Sequence, residues 1–135
     1  MRFARILLVV AAVIFLGIGV LYSISPLAVV ALFPDGATGT ADGRSEIRAV
    51  YGGLELGLGL FFALGAWRKE FTAHAVVCAA LVSFFAGAVR TVSFAIEGEI
   101  PGMHLYWALL ELVGGVVAYA AYRSATADSV AAPSS

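Results

Sequence analysis

The sequence predicts an all-α integral membrane protein, a bundle of four transmembrane helices with both termini in the cytoplasm. Three observations carry that prediction. Of the 135 residues 61%, about 82, are hydrophobic, and four spans of about 20 apolar residues each use nearly all of them. Charged residues make up only 13%, against about a quarter in a soluble domain, and the mean hydropathy is +0.97. Most of the charges fall between the apolar runs, and the basic ones favour alternate gaps.

The same composition excludes several classes. A formal net charge of -1 gives no basis for nucleic-acid binding. Cys78 is the only cysteine, so there is no internal disulfide and no Cys-based metal site, and its apolar neighbours mark it as a packing residue. The chain has neither Asn nor Gln, which leaves polar work inside the membrane to Ser, Thr, Tyr, His and the charged residues. GxGxxG, P-loop, HExxH and GxSxG patterns are absent, so no cofactor, no metal and no catalytic residue is assigned.

The first helix is expected over about 6–25, after Arg2 and Arg5; its apolar run exceeds a signal peptide's h-region and no small-residue cleavage site ends it. Pro26 leaves two readings open for Leu27 to Phe33, a kinked extension of the helix to 33 or a segment at the interface. Pro34-Asp35-Gly36 ends it, and Ala37 to Gly43 reads as a loop. Ser45 caps a second helix over 47–66, with Glu46 in its first turn. Trp67-Arg68-Lys69-Glu70 is a charged turn with an interfacial aromatic. Thr72 caps the third helix, 73–96, which stops before Gly98, and Pro101 suits the first turn of the fourth, 103–122. Residues 1–123 thus read as one domain and 124–135 as a disordered tail.

Arg2, Arg5, Arg68, Lys69 and Arg123 lie on one side of this topology, while the other side has Arg44 and Arg48 among Asp35, Asp42, Glu46, Glu97 and Glu99. The positive-inside rule therefore puts both termini in the cytoplasm of a multi-pass inner-membrane protein.

Three ionisable residues fall well inside the spans. Glu55 is 8 residues past Ile47, Glu111 is 8 past Met103 and Arg90 is 7 before Glu97, depths of about 12, 12 and 10 Å from one face. Facing lipid separately, each costs about 2.5–3.5 kcal/mol, so a shared Glu55–Arg90–Glu111 cluster in the outer third of the membrane is expected, with the Arg90 fork bridging the carboxylates. Arg48, Tyr51, Gly52, Gly59 and Phe62 share the face of Glu55; Ser93 and Glu97 share that of Arg90; His104 and Trp107 share that of Glu111. Gly53 and Gly57 form a GxxxG step. The trio carries one excess negative charge unless Arg48 reaches down to balance it, which makes Glu55 or Glu111 a proton- or ligand-responsive group, rimmed by Tyr51, His104 and Trp107. The structural alternative is that the charges only hold the helices in register.

The run from Glu46 through Arg48, Tyr51-Gly52-Gly53, Glu55, Gly57 and Gly59, followed by Arg90, Ser93, Glu97-Gly98 and Glu111, resembles a group of small bacterial four-helix membrane proteins catalogued as a domain of unknown function. The resemblance covers nearly the whole chain. It implies a four-helix bundle in the inner membrane and a joint role for Glu46, Arg48, Tyr51, Glu55, Arg90 and Glu111; it implies no activity. The group is distantly similar to DoxX-type proteins, some of which are linked to quinone or thiol redox chemistry.

Three functions compete. The first is a non-catalytic binding module, whose polar cluster takes a small amphipathic molecule, a lipid headgroup or a proton. The second is an accessory subunit or homo-oligomer whose small-residue faces dock on partners in a larger membrane complex. The third is a DoxX-like redox-associated protein, for which a nucleophile, metal site or cofactor motif is missing.

Overall fold

A computed structural model describes residues 2–26, 44, 45, 47–98 and 102–130. All are helical or in short links between helices, and no strand occurs among the described residues. The order is α1 (Arg2–Ile24), a π-helical segment (Arg48–Gly53) that runs directly into α2 (Leu54–Trp67), α3 (Lys69–Glu97) and α4 (Gly102–Val130). Four stretches, Arg2–Ile24, Arg48–Trp67, Lys69–Ile96 and His104–Ser124, are long and apolar enough to cross a membrane. The chain is a multi-pass membrane protein. Its large apolar side chains point outward, Val13, Leu60, Val89 and Leu110 being more than 60% exposed, as lipid-facing residues must be.

The helix ends correct several expectations. Ser25 leaves α1 because the following proline ring disfavours helical backbone there, and Leu27 to Phe33, with the turn and loop up to Gly43, lies outside the described residues. Arg44 and Ser45 are already helical, so Ser45 is not the cap of the second span; Glu46 is outside the described residues. Thr72 is no cap either. α3 begins at Lys69, and the Thr72 hydroxyl donates to the carbonyls of Gly65, at 2.7 Å, and Arg68, at 3.3 Å, so that it clasps the α2–α3 turn from a buried position. At the other end Gly98 takes a left-handed conformation, φ 73°, and its N–H closes on the Phe94 carbonyl, terminating α3. Pro101 is outside the described residues. α4 runs past Arg123 to Val130, into the segment expected to be a disordered tail. Ser124 and Thr126 donate to carbonyls three and four residues back within the helix.

The chain divides into two compact units, Val9–Ala63 and Met1–Leu8 with Leu64–Ser135. In the first, α1 meets the second span through glycines. A Cβ on Gly19 would lie 2.8 Å from the Leu56 nitrogen, and one on Gly59 would lie 2.7 Å from the Leu16 Cγ and 2.9 Å from its nitrogen. The expected GxxxG step is not this contact: Gly57 has open space around it and Gly53 meets only its own helix. Phe15 packs edge-on against the buried ring of Phe62, centroids 5.1 Å apart. In the second unit the buried side chains are mostly alanines, among them Ala75, Ala79, Ala108, Ala118 and Ala121. Small residues let helices approach closely where lipid supplies no hydrophobic drive.

Gly59→Ala should therefore lower stability by about 1–3 kcal/mol, since the methyl group meets backbone, whereas Gly57→Ala should raise it by about 0.5–1 kcal/mol through helix propensity alone. Unfolding of both variants in detergent micelles, followed by far-UV circular dichroism, checks the opposite signs.

Candidate functional site

α3 and α4 are antiparallel, and their register is set by small residues. A Cβ on Gly115 would lie 3.0 Å from the Phe84 nitrogen, and one on Gly87 would lie 3.0 Å from the Ala108 carbonyl oxygen. One turn beyond Gly87, this close approach brings Arg90 of α3 against Glu111 and His104 of α4. The guanidinium grips the carboxylate side-on: Nε donates to Oε2 at 2.9 Å and Nη2 donates to Oε1 at 2.7 Å. Both lengths are those of charge-assisted bonds, and the planar fork fixes the orientation of the pair. The two side chains are 30% and 18% exposed.

Nη1 of the same guanidinium stands 3.1 Å from His104 Nδ1. A guanidinium can only donate, so in this contact Nδ1 is the acceptor. His104 and Glu111 are seven residues apart on one face of α4, which is why a single arginine reaches both.

Arg90, Ser93 and His104 form the polar part of a cleft of about 680 Å³, whose apolar wall is Phe85, Ala86, Val89 and Phe94. It combines an extended apolar surface with an imidazole, a hydroxyl and a guanidinium that its bonds to Glu111 hold in place. That combination can hold and orient an amphipathic molecule.

Of the expected trio, Arg90 and Glu111 are paired directly. Arg90, Glu111 and His104 come together with Ser93 on the cleft wall, while Trp107, 41% exposed, is not part of that wall. Glu55, Arg48 and Tyr51 belong to the other unit. There Arg48 Nε donates to the Ser23 carbonyl at 3.3 Å, and Tyr51 stacks on Tyr22 with centroids 5.5 Å apart. Gly52 and Gly59 also meet α1, at Ser23 and Leu16, and Phe62 meets Phe15, so Arg48, Tyr51, Gly52, Gly59 and Phe62 all turn toward that helix. Glu55 Oε2 is buried and has no hydrogen-bond partner among the described residues.

Sequence reasoning places His104 on the rim and misses its contact with Arg90, and it misses Phe85 and Phe94 altogether. The seven-residue spacing from His104 to Glu111 and the five donors of one arginine are the available signal; the phenylalanines look like any other lipid-facing residues.

A family model described as a domain of unknown function, DUF4345, matches residues 3–122. The chain belongs to the DUF4345 family. The match starts in the first turn of α1 and ends in the last part of α4, so the DUF4345 domain comprises all four spans, the Arg90–Glu111 pair and Glu55. No curated protein and no solved structure matches the chain.

Removing one partner of the ion pair strands the other charge within a span. Glu111→Ala should cost about 3 kcal/mol, and the double replacement Arg90→Met with Glu111→Leu should cost less than the single one. A double-mutant cycle of Arg90→Met, Glu111→Leu and the double variant, from detergent unfolding curves, checks this; a loss in the double variant equal to the sum of the two single losses would show that the pair carries no coupling.

Proposed function

We propose that this DUF4345 protein is a non-catalytic binding module of the inner membrane, with both termini cytoplasmic as the basic residues at the helix ends suggest. Its ligand is a small amphipathic molecule with acceptor oxygens in its head. The head lies against Arg90, Ser93 and His104, and the apolar body runs along Phe85, Val89 and Phe94. The observation that carries this reading is the placement of a side-on Arg90–Glu111 pair and His104 at the edge of an apolar cleft. A pair that served only to hold two helices in register has no need of an adjoining cleft with a hydroxyl and an imidazole in its wall. The arrangement also favours binding over catalysis, because Arg90 and Glu111 hold each other.

Monoolein and oleate serve as probes, read by native mass spectrometry of the purified protein. Both should be retained by the wild-type protein. His104→Ala should weaken retention about tenfold, the worth of a hydrogen-bonded head, and Ala86→Phe, which fills the cleft, should abolish it. Wild-type protein that retains neither probe, or an Ala86→Phe variant that binds as well as wild type, would refute the proposal.

A further inference from the structure

The opposite end of the α3–α4 pair carries a second groove of about 250 Å³, lined by Val77, Ala80 and Leu81 of α3 and by Tyr119 and Tyr122 of α4. Its walls are apolar apart from the two phenol groups. Beyond the groove both helices become charged. Arg123 comes four residues after Tyr119 and therefore extends the same face of α4. On α3 the residues four and seven before Val77 are Ala73 and Glu70, on the face of the groove, with His74 and Lys69 flanking that face on either side.

The antiparallel register fixes the levels. Ser83 faces Gly114 and Phe84 faces Gly115, so Val77 lies opposite Tyr122, and Arg123 stands at the mouth of the groove. Lys69 is about 12 Å further along α3 from Val77, within the depth of a headgroup layer once its long side chain is counted.

Neither Arg123 nor Lys69 forms an ion pair among the described residues. Glu70, an acid described at this end, is bridged instead to Arg68 at 3.6 Å. Arg123, Lys69 and His74 are all exposed. A groove with hydrocarbon walls, tyrosines at its mouth and unmatched positive charge immediately beyond has the layered chemistry of a phospholipid with its anionic end toward the basic residues.

The geometry points to a binding site for an anionic phospholipid. One acyl chain lies along Val77, Ala80, Leu81 and Tyr119; the phosphate meets the Arg123 guanidinium, which can engage two of its oxygens at once; Lys69 supplies the second positive charge. This site is separate from the Arg90 cleft and does not depend on its occupancy, because the two lie at opposite ends of the same helix pair.

The test is native mass spectrometry of the full chain in detergent, titrated with phosphatidylglycerol or with phosphatidylcholine of the same acyl chains. Wild-type protein should retain phosphatidylglycerol preferentially. Arg123→Gln should weaken that retention about fivefold, the effect of one charge near a headgroup, and Arg123→Gln with Lys69→Gln about twentyfold, while Arg123→Lys should keep most of it. Ala80→Phe, which fills the groove, should abolish preferential retention with the charges intact. Unfolding midpoints equal to wild type identify variants that are folded. Equal retention of the two lipids by wild-type protein overturns the proposal, as does unchanged retention in folded Arg123→Gln and Ala80→Phe. Displacement of the lipid by millimolar inorganic phosphate also overturns it, since the basic residues would then form a site for a soluble anion.

Discussion

A guanidinium cannot stand alone in the middle of an apolar helix, and the arrangement of α3 and α4 derives from that constraint. Arg90 must bring a counter-charge into the span, and Glu111 is held by two bonds of 2.9 and 2.7 Å. Those bonds are short enough only if the helices come close together, which is why Gly87 faces Ala108 one turn away and Gly115 faces Phe84 further along. Once this register is fixed, so are the places where the two helices diverge. The cleft beside Arg90 and the groove beside Tyr119 and Tyr122 sit on either side of the glycine contacts.

The other unit solves a different problem with the same means. Gly19 and Gly59 let α1 and α2 approach until backbone meets side chain. In the π-helical segment before α2, Arg48 and Tyr51 meet Ser23 and Tyr22, and in the next turn Glu55 has one carboxylate oxygen buried and without a partner among the described residues. π-helical turns sacrifice regular helix geometry and are frequent at functional sites. A π segment and an unpartnered carboxylate oxygen side by side mark this stretch as one where the fold accepts local cost.

Much of the fold is legible because lipid imposes it through composition. A run such as Ile6 to Ile24 has no other stable state in a bilayer than a helix, and Gly98 after Glu97 announces the end of α3 through the one conformation that glycine takes easily. Helix starts are harder to read. Thr72 has the residue type of a cap, but whether its hydroxyl accepts from the next turn or donates to the last one depends on where the Gly65 carbonyl lies, and that is a property of the α2–α3 turn. The end of α4 misleads for a related reason: small polar residues suggest disorder by composition, although Ser and Thr between alanines can close their hydrogen bonds within the helix.

The number of spans can be read from the chain without its neighbours, as can the standing of Arg90 and Glu111 as charges that an apolar helix cannot carry unpaired. Period and hydropathy suffice for that, since both are local properties. How the charges are shared is a tertiary matter. Packing gave His104 to Arg90 and set Arg48 against the Ser23 carbonyl of α1. Pairing depends on helix rotation and register, and these are fixed by where glycine and alanine allow two backbones to meet, which no single helix specifies.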